Sequence, residues 1–180
     1  MAHIYEKFMA WVEKPRGLLG FSAAGDTAAV LLLLDRGCDI EQSWRGSTAL
    51  MEASAHGHPS TVRALLDRGA NINPAPRWNW DSFACAVAGG SPEIVQMFLE
   101  RGADINSKDP EHEVSSLMRA AQVGSCEIAL MLLERGVDIN ECDSEGRTAL
   151  TYAREYHHPD VVDLLVQRGG VETEDWLDVP

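Results

Sequence analysis

The chain has 180 residues, 45% hydrophobic and 24% charged, with a formal net charge of −13 and a pI near 4.7. That balance indicates a folded chain rather than a disordered one, and its acidity argues against nucleic acid or anionic membrane as a partner. No apolar run approaches the roughly 18–20 residues of a membrane span, and Met1–Lys14, which carries Glu6 and Glu13 and lacks a basic start, does not read as a signal peptide.

The four cysteines, at 38, 85, 126 and 142, share no CxxC spacing and stand far apart. They read as reduced thiols of a cytoplasmic protein, with neither a disulfide framework nor a zinc site. The acidity itself has two readings. It favours solubility whatever the function, and it would draw in a basic partner.

In chain order, Met1–Lys14 is expected to form a helix, because Ile4, Phe8, Trp11 and Val12 recur at helical spacing before Pro15 and Gly17 break it. Next come a short helix over Leu18–Gly25 and a second over Asp26–Arg36. The second contains the run Val30-Leu31-Leu32-Leu33-Leu34 and is expected to be buried on several sides. An Arg-Gly pair closes this segment with Gly37, and the same pair returns with Gly69, Gly102, Gly136 and Gly169, at steps of 32, 33, 34 and 33 residues. A near-constant step of this size marks a repeat architecture.

Each copy has the same grammar. Thr48, Asp81, Ser115 and Thr148 are placed to cap a first helix rich in small residues. That helix closes at Gly25, Gly57, Gly90 and Gly124, with His157 in the corresponding place of the last copy. A second helix follows. In Ser91–Asn106, Ser91 is placed to cap, Pro92 suits the first turn, Glu93 complements the helix start and Arg101 the helix end. Ile94, Val95, Phe98 and Leu99 form its apolar stripe. Helices this short need neighbours on both sides.

Residues 1–171 therefore read as one domain. An N-terminal capping helix covers 1–16, and repeats cover 17–41, 43–73, 76–106, 109–140 and 143–171. The first helix is expected to cap the array, with partner binding as the alternative. Residues 172–180 form an acidic tail with Trp176 and Leu177 embedded, read as a cover for the last repeat, with a short docking peptide as the alternative.

These residues resemble the ankyrin-repeat family. Asp143, Gly146, Thr148 and Leu150, then Val161, Val162, Leu164, Leu165 and Gly169, stand where that family's pattern has its turn, first helix and second helix. Gly46, Thr48, Leu50, Gly57, His58, Val62, Leu65, Leu66, Gly69, Ala70 and Asn73 do the same. The likeness covers about residues 17–171. The chain departs from the family's T-P-L-H stretch, whose proline is Ala49, Ser82, Ser116 or Ala149 and whose histidine is Met51, Ala84, Met118 or Thr151. The resemblance implies an all-α solenoid of stacked helix–turn–helix units joined by β-hairpin-like loops. It also implies that the concave face and hairpin tips bind another protein.

On that frame the tips would carry Trp44 and Arg45, then Arg77, Trp78 and Trp80, then Glu111 and His112, then Glu145 and Arg147. Tryptophan and arginine are the types most enriched in binding hot spots. The competing reading has one or two of the tryptophans folded over a neighbouring tip. The inner helices would present His56, Gln122, Glu155 and Tyr156, together with Glu52, Arg119 and Arg154, and Ala88-Gly89-Gly90 would leave room for a protruding partner element.

Arg36, Arg68, Arg101, Arg135 and Arg168 form a column that reads as helix-end complementarity rather than an anion ladder. His56 with His58, and His157 with His158, have no third ligand at metal spacing. No catalytic motif is present, so no catalytic residue, metal or cofactor is expected. The functional expectation is a non-catalytic binder of another, basic protein, monomeric when free and cytoplasmic. It would act as a stoichiometric inhibitor, such as a bacterial immunity protein neutralising a toxin or effector. The alternative within that class is a scaffold or adaptor subunit; the alternative outside it is an enzyme or metal-binding protein.

Overall fold

Side-chain caps start most of the helices. In a computed structural model that describes residues 15–73 and 81–172, the side chains of Thr48, Asp81, Ser115 and Thr148 each accept the amide three residues on. Such a bond satisfies an amide that a helix otherwise leaves unpaired, and is worth about 1 kcal/mol. Gly25, Gly57, Gly90 and Gly124 close the first helices at positive φ, and His157 closes the last one with φ 60°.

The chain divides into two compact units, residues 1–103 and 104–180. The first contains α1 (Pro15–Ala23), α2 (Thr27–Asp35), β1 (Ser43–Trp44), β2 (Ser47–Thr48), α3 (Ala49–Ala55), α4 (Pro59–Asp67), α5 (Ser82–Ala88) and α6 (Pro92–Glu100). The second contains α7 (Ser116–Val123), α8 (Cys126–Leu133), α9 (Ala149–Glu155) and α10 (Pro159–Gln167). Among the described residues this is an all-α repeat fold of ten helices with one two-residue hairpin, β1 pairing β2 antiparallel with Trp44 opposite Ser47.

Within each unit every helix pair packs on the next. In the first, α1, α3 and α5 form one layer and α2, α4 and α6 the other; in the second, α7 packs on α9 and α8 on α10. The cores are the apolar stripes. Leu18, Val30, Leu50, Val62, Leu65, Phe83 and Phe98 are buried in the first unit, and Leu117, Met118, Ile128, Leu132, Leu150 and Leu165 in the second. Each contributes about 1.5–3 kcal/mol of burial. The Phe83 and Phe98 rings meet at 6.4 Å.

Two histidines tie repeat to repeat. His58 Nε2–H donates to the Ala23 carbonyl at 2.9 Å, and His158 Nε2–H to the Gln122 carbonyl at 3.0 Å. Each imidazole lies against the glycine that ends the preceding first helix: a Cβ on Gly25 would sit 2.6 Å from His58 Nδ1, and one on Gly124 would collide with the His158 ring. Those two glycines are required twice, for positive φ and for the ring.

Several expectations need correction. The first described helix begins at Pro15 rather than Leu18 and contains Gly17; proline is well placed in a first turn, where its missing amide costs nothing. The leucine run of α2 is not buried on several sides: Val30 and Leu33 are buried, while Leu32 stays 50% exposed. Ser91 occupies the cap position of α6, but its side chain makes no capping bond. Gly89 also has a packing role, because α3 approaches so closely there that a Cβ would run into the Ser54 carbonyl, while Gly90 beside it has open space. At two of the positions where the family's pattern has histidine, the side chain present serves the cap: Thr151 accepts the Thr148 amide and Met118 Sδ the Ser115 amide.

The arginine column works in packing, as expected, though by more than helix-end complementarity. Arg101 and Arg135 donate to the Met97 and Met131 carbonyls of their own helices. Arg68 and Arg101 also pair with Asp35 and Asp67 of the preceding repeat, at 2.7 and 3.1 Å. The N-terminal helix expected over Met1–Lys14, the tip residues Arg77, Trp78 and Trp80, and the tail from residue 173 onward lie outside the described residues.

Candidate protein-binding surface

The tips differ in how they are built. The tip of the second repeat is the hairpin around Arg45 and Gly46, with φ of 51° and 85°. Positive φ at both central residues is what a two-residue type I′ turn requires, and a non-glycine residue there costs on the order of 1 kcal/mol. Trp44 is 43% exposed, and Arg45 is exposed beside it.

The tips of the fourth and fifth repeats are each gathered around a buried carboxylate. Asp109 accepts the amides of Glu111, His112 and Val114 at 3.1, 2.7 and 3.2 Å, and Arg119 Nη2 at 3.3 Å. Burial alone would raise its pKa, but the amides of His112, Glu111 and Val114, with Arg119, outweigh that and hold it below the ordinary carboxylate value. Asp143 accepts the Glu145 and Arg147 amides, Arg147 Nε and the Tyr152 hydroxyl, all at 2.9 Å. Its pKa is lowered in the same way, with burial again opposing.

The Tyr152 phenol is pushed well above its usual value, by burial first and then by its bond to Asp143. The Ser144 amide donates to the His112 carbonyl at 2.9 Å and links the two tips.

This geometry sorts the expected binding residues. Glu111, His112 and Glu145 are exposed at the tips, and Glu113 joins them with φ 57°. Arg147 points inward: it holds Asp143, donates to the Tyr152 hydroxyl at 3.0 Å and lies 4.9 Å over the Tyr152 ring. Arg119, expected to be displayed, is buried with 5% exposure against Asp109. Arg147 also reaches the tip carboxylate Glu145 at 3.4 Å, so one cation serves both the buried and the exposed carboxylate, while Arg119 stays beneath its tip.

On the first-helix side, His56 is exposed; its Nδ1–H donates to the Glu52 carbonyl at 2.9 Å, and its ring stacks on His58 at 6.4 Å. In the second unit Gln122 donates to the Tyr156 hydroxyl at 2.8 Å, and Tyr156, 48% exposed, stacks on Tyr152 at 6.3 Å. Glu155 is exposed alongside. Sequence reasoning missed Asp109, Asp143 and Tyr152 as the organisers of these tips. The available signal was an aspartate recurring 34 positions apart at the start of consecutive turns.

Among the described residues no group of three or more His, Cys, Asp or Glu side chains is placed to hold a metal ion, and no helix is long and apolar enough to cross a membrane.

Paired short helices, tips at a fixed step and histidines reaching back to the preceding pair define a repeat protein of stacked helix–turn–helix units. The family model for ankyrin repeats, which describes three copies, matches residues 18–109 and again 83–175, and the chain belongs to the ankyrin-repeat family. No curated protein matches it. Ankyrin repeats are protein–protein interaction modules, and the family is typically non-catalytic.

Proposed function

We propose that this chain is a stoichiometric inhibitor, of the kind exemplified by a bacterial immunity protein, that captures a basic toxin or effector through its tips and first-helix side. The observation that carries the reading is the arrangement of charge in the second unit. Glu111, Glu113 and Glu145 are exposed at the tips, Arg119 is buried against Asp109, and the single cation Arg147 is shared between Asp143 beneath it and Glu145 beside it, so carboxylates outnumber cations there.

With a net charge of −13, such a surface would speed encounter with a cationic protein and reject an acidic one. Trp44 and Tyr156 would supply the apolar anchors that a tight complex needs at its centre. Free thiols at 38, 85, 126 and 142 suit a reducing compartment such as the cytoplasm.

The scaffold reading has its own support, because each unit carries a separate exposed set, Trp44, Arg45 and His56 in one and Glu155 and Tyr156, with half-buried Gln122 beside them, in the other. Capture from native extract, followed by stoichiometry and by an activity assay of the captured protein, separates the two. One basic partner per chain, silenced on binding, supports the inhibitor; two partners held at once with activity intact would replace it with the scaffold. In the inhibitor case Trp44→Ala or Tyr156→Ala weakens the complex by about 2 kcal/mol without lowering the melting temperature, and the association rate falls steeply with salt. A salt-independent rate would sink the electrostatic part of the reading.

A further inference from the structure

The two histidine ties reveal a seat that recurs along the chain. In each case a ring from the next repeat lies against the residue that ends a first helix and donates to the carbonyl two positions before it: His58 to Ala23 beside Gly25, and His158 to Gln122 beside Gly124. By the same register the last repeat offers the Glu155 carbonyl beside His157.

A pocket opens beside His157, lined by Ala153, Arg154, His157, His158, Pro159, Val162 and Asp163. Its residue 157 is not glycine. A side chain there, at φ 60°, stands where the imidazole lies in the two filled seats, so another histidine of the same kind is excluded. A flat ring with an N–H donor, laid over Pro159 and Val162, is not.

We propose that the occupant is the chain's own segment 173–180, with the Trp176 indole in the pocket and its N–H directed at the Glu155 carbonyl. Three observations favour this occupant over a second copy or a foreign peptide. The chain is already tied at the pocket rim, where Arg154 Nη1 pairs with Glu172 at 2.8 Å. Trp176 lies four positions after Glu172, a reach of at most about 14 Å. The pocket also brings together a guanidinium and two imidazoles against a single carboxylate, Asp163, and the segment leading to the indole carries Glu172, Glu174 and Asp175.

The seat would thereby close the exposed end of the second unit, where Val166 and Val171 are 51% and 53% exposed. The docked tail would occupy ground adjoining Tyr156 without covering the tips.

The test is hydrogen exchange on the full chain, together with the indole N–H resonance of Trp176 assigned by its disappearance in Trp176→Phe. The expected result is an indole N–H protected from solvent, and amides of α10 that exchange about tenfold faster in Trp176→Ala, with α2, α4 and α6 unchanged. A synthetic peptide covering residues 172–180, added to the Trp176→Ala protein, restores the protection. An unprotected indole, α10 exchange that is the same in both proteins, or a loss spread evenly over both units would each overturn the proposal. So would protection in the wild type that rises with protein concentration, which would assign the pocket to a second copy.

Discussion

The tip of the second repeat and the tip of the fifth solve the same problem with different materials. The second is a hairpin held by backbone pairing, with Ser43 where the fifth has Asp143. The fifth has no strand pairing of its own; four donors converge on one buried carboxylate instead. A hairpin places its strain in Arg45 and leaves Trp44 partly exposed. A carboxylate-centred tip places its energy in one side chain and draws Arg147 and Tyr152 inward. Pre-organisation of the second kind reduces the ordering cost when a partner docks, so the two tips would contribute to binding in different ways.

The sharpest way to break this comparison is Asp143→Ala. It leaves Arg147 and Tyr152 without their buried acceptor, and the second unit should lose about 3 kcal/mol in denaturant unfolding. Ser43→Ala should stay within about 0.5 kcal/mol. Equal effects would mean that the carboxylate does not organise its tip.

Protons should perform a milder version of the same experiment. Asp109 and Asp143 both titrate below their ordinary value of 3.8 when folded. Their contribution is therefore fully present above that value and is lost as the pH falls from there through the lowered folded values. Amides of α7 to α10 should lose protection in that acid window before those of α3 to α6, and the reverse order would contradict the assignment.

Gly124→Ala comes next, at about 2 kcal/mol, because a methyl group there strains a left-handed backbone and displaces His158. Gly136→Ala, at φ 85° but with open space around it, should cost only the backbone share of about 1 kcal/mol. A small effect is expected for Arg68→Gln, which removes an exposed pair with Asp35 and should cost less than about 1 kcal/mol in melting experiments.

What could be read from the residues was whatever is decided locally. Thr48, Asp81, Ser115 and Thr148 cap because a short oxygen-bearing side chain just before a helix reaches the free amide wherever the helix later packs. His157 takes the left-handed place of glycine for the same local reason. What escaped the sequence was decided by neighbours distant in the chain. Arg119 looked like a surface residue until Asp109, ten positions earlier, was found beneath the same turn. Gly89 looked like vacant space until the Ser54 carbonyl was found against it. Ser91 has the right side chain at the right position and still makes no capping bond, and the structure offers no physical account of why.

The ties at the helix ends share a polarity. His58 and His158, Arg68 and Arg101 are all donors in a later repeat that reach acceptors in an earlier one. At these four ties, unlike Arg63 to Glu93 or Gln122 to Tyr156, which run the other way, an earlier repeat presents finished acceptors before the donors that will use them have been synthesised. A chain emerging from the ribosome amino end first meets each new set of donors with a prepared surface. Growth of each unit can proceed by accretion, without reopening what has already folded.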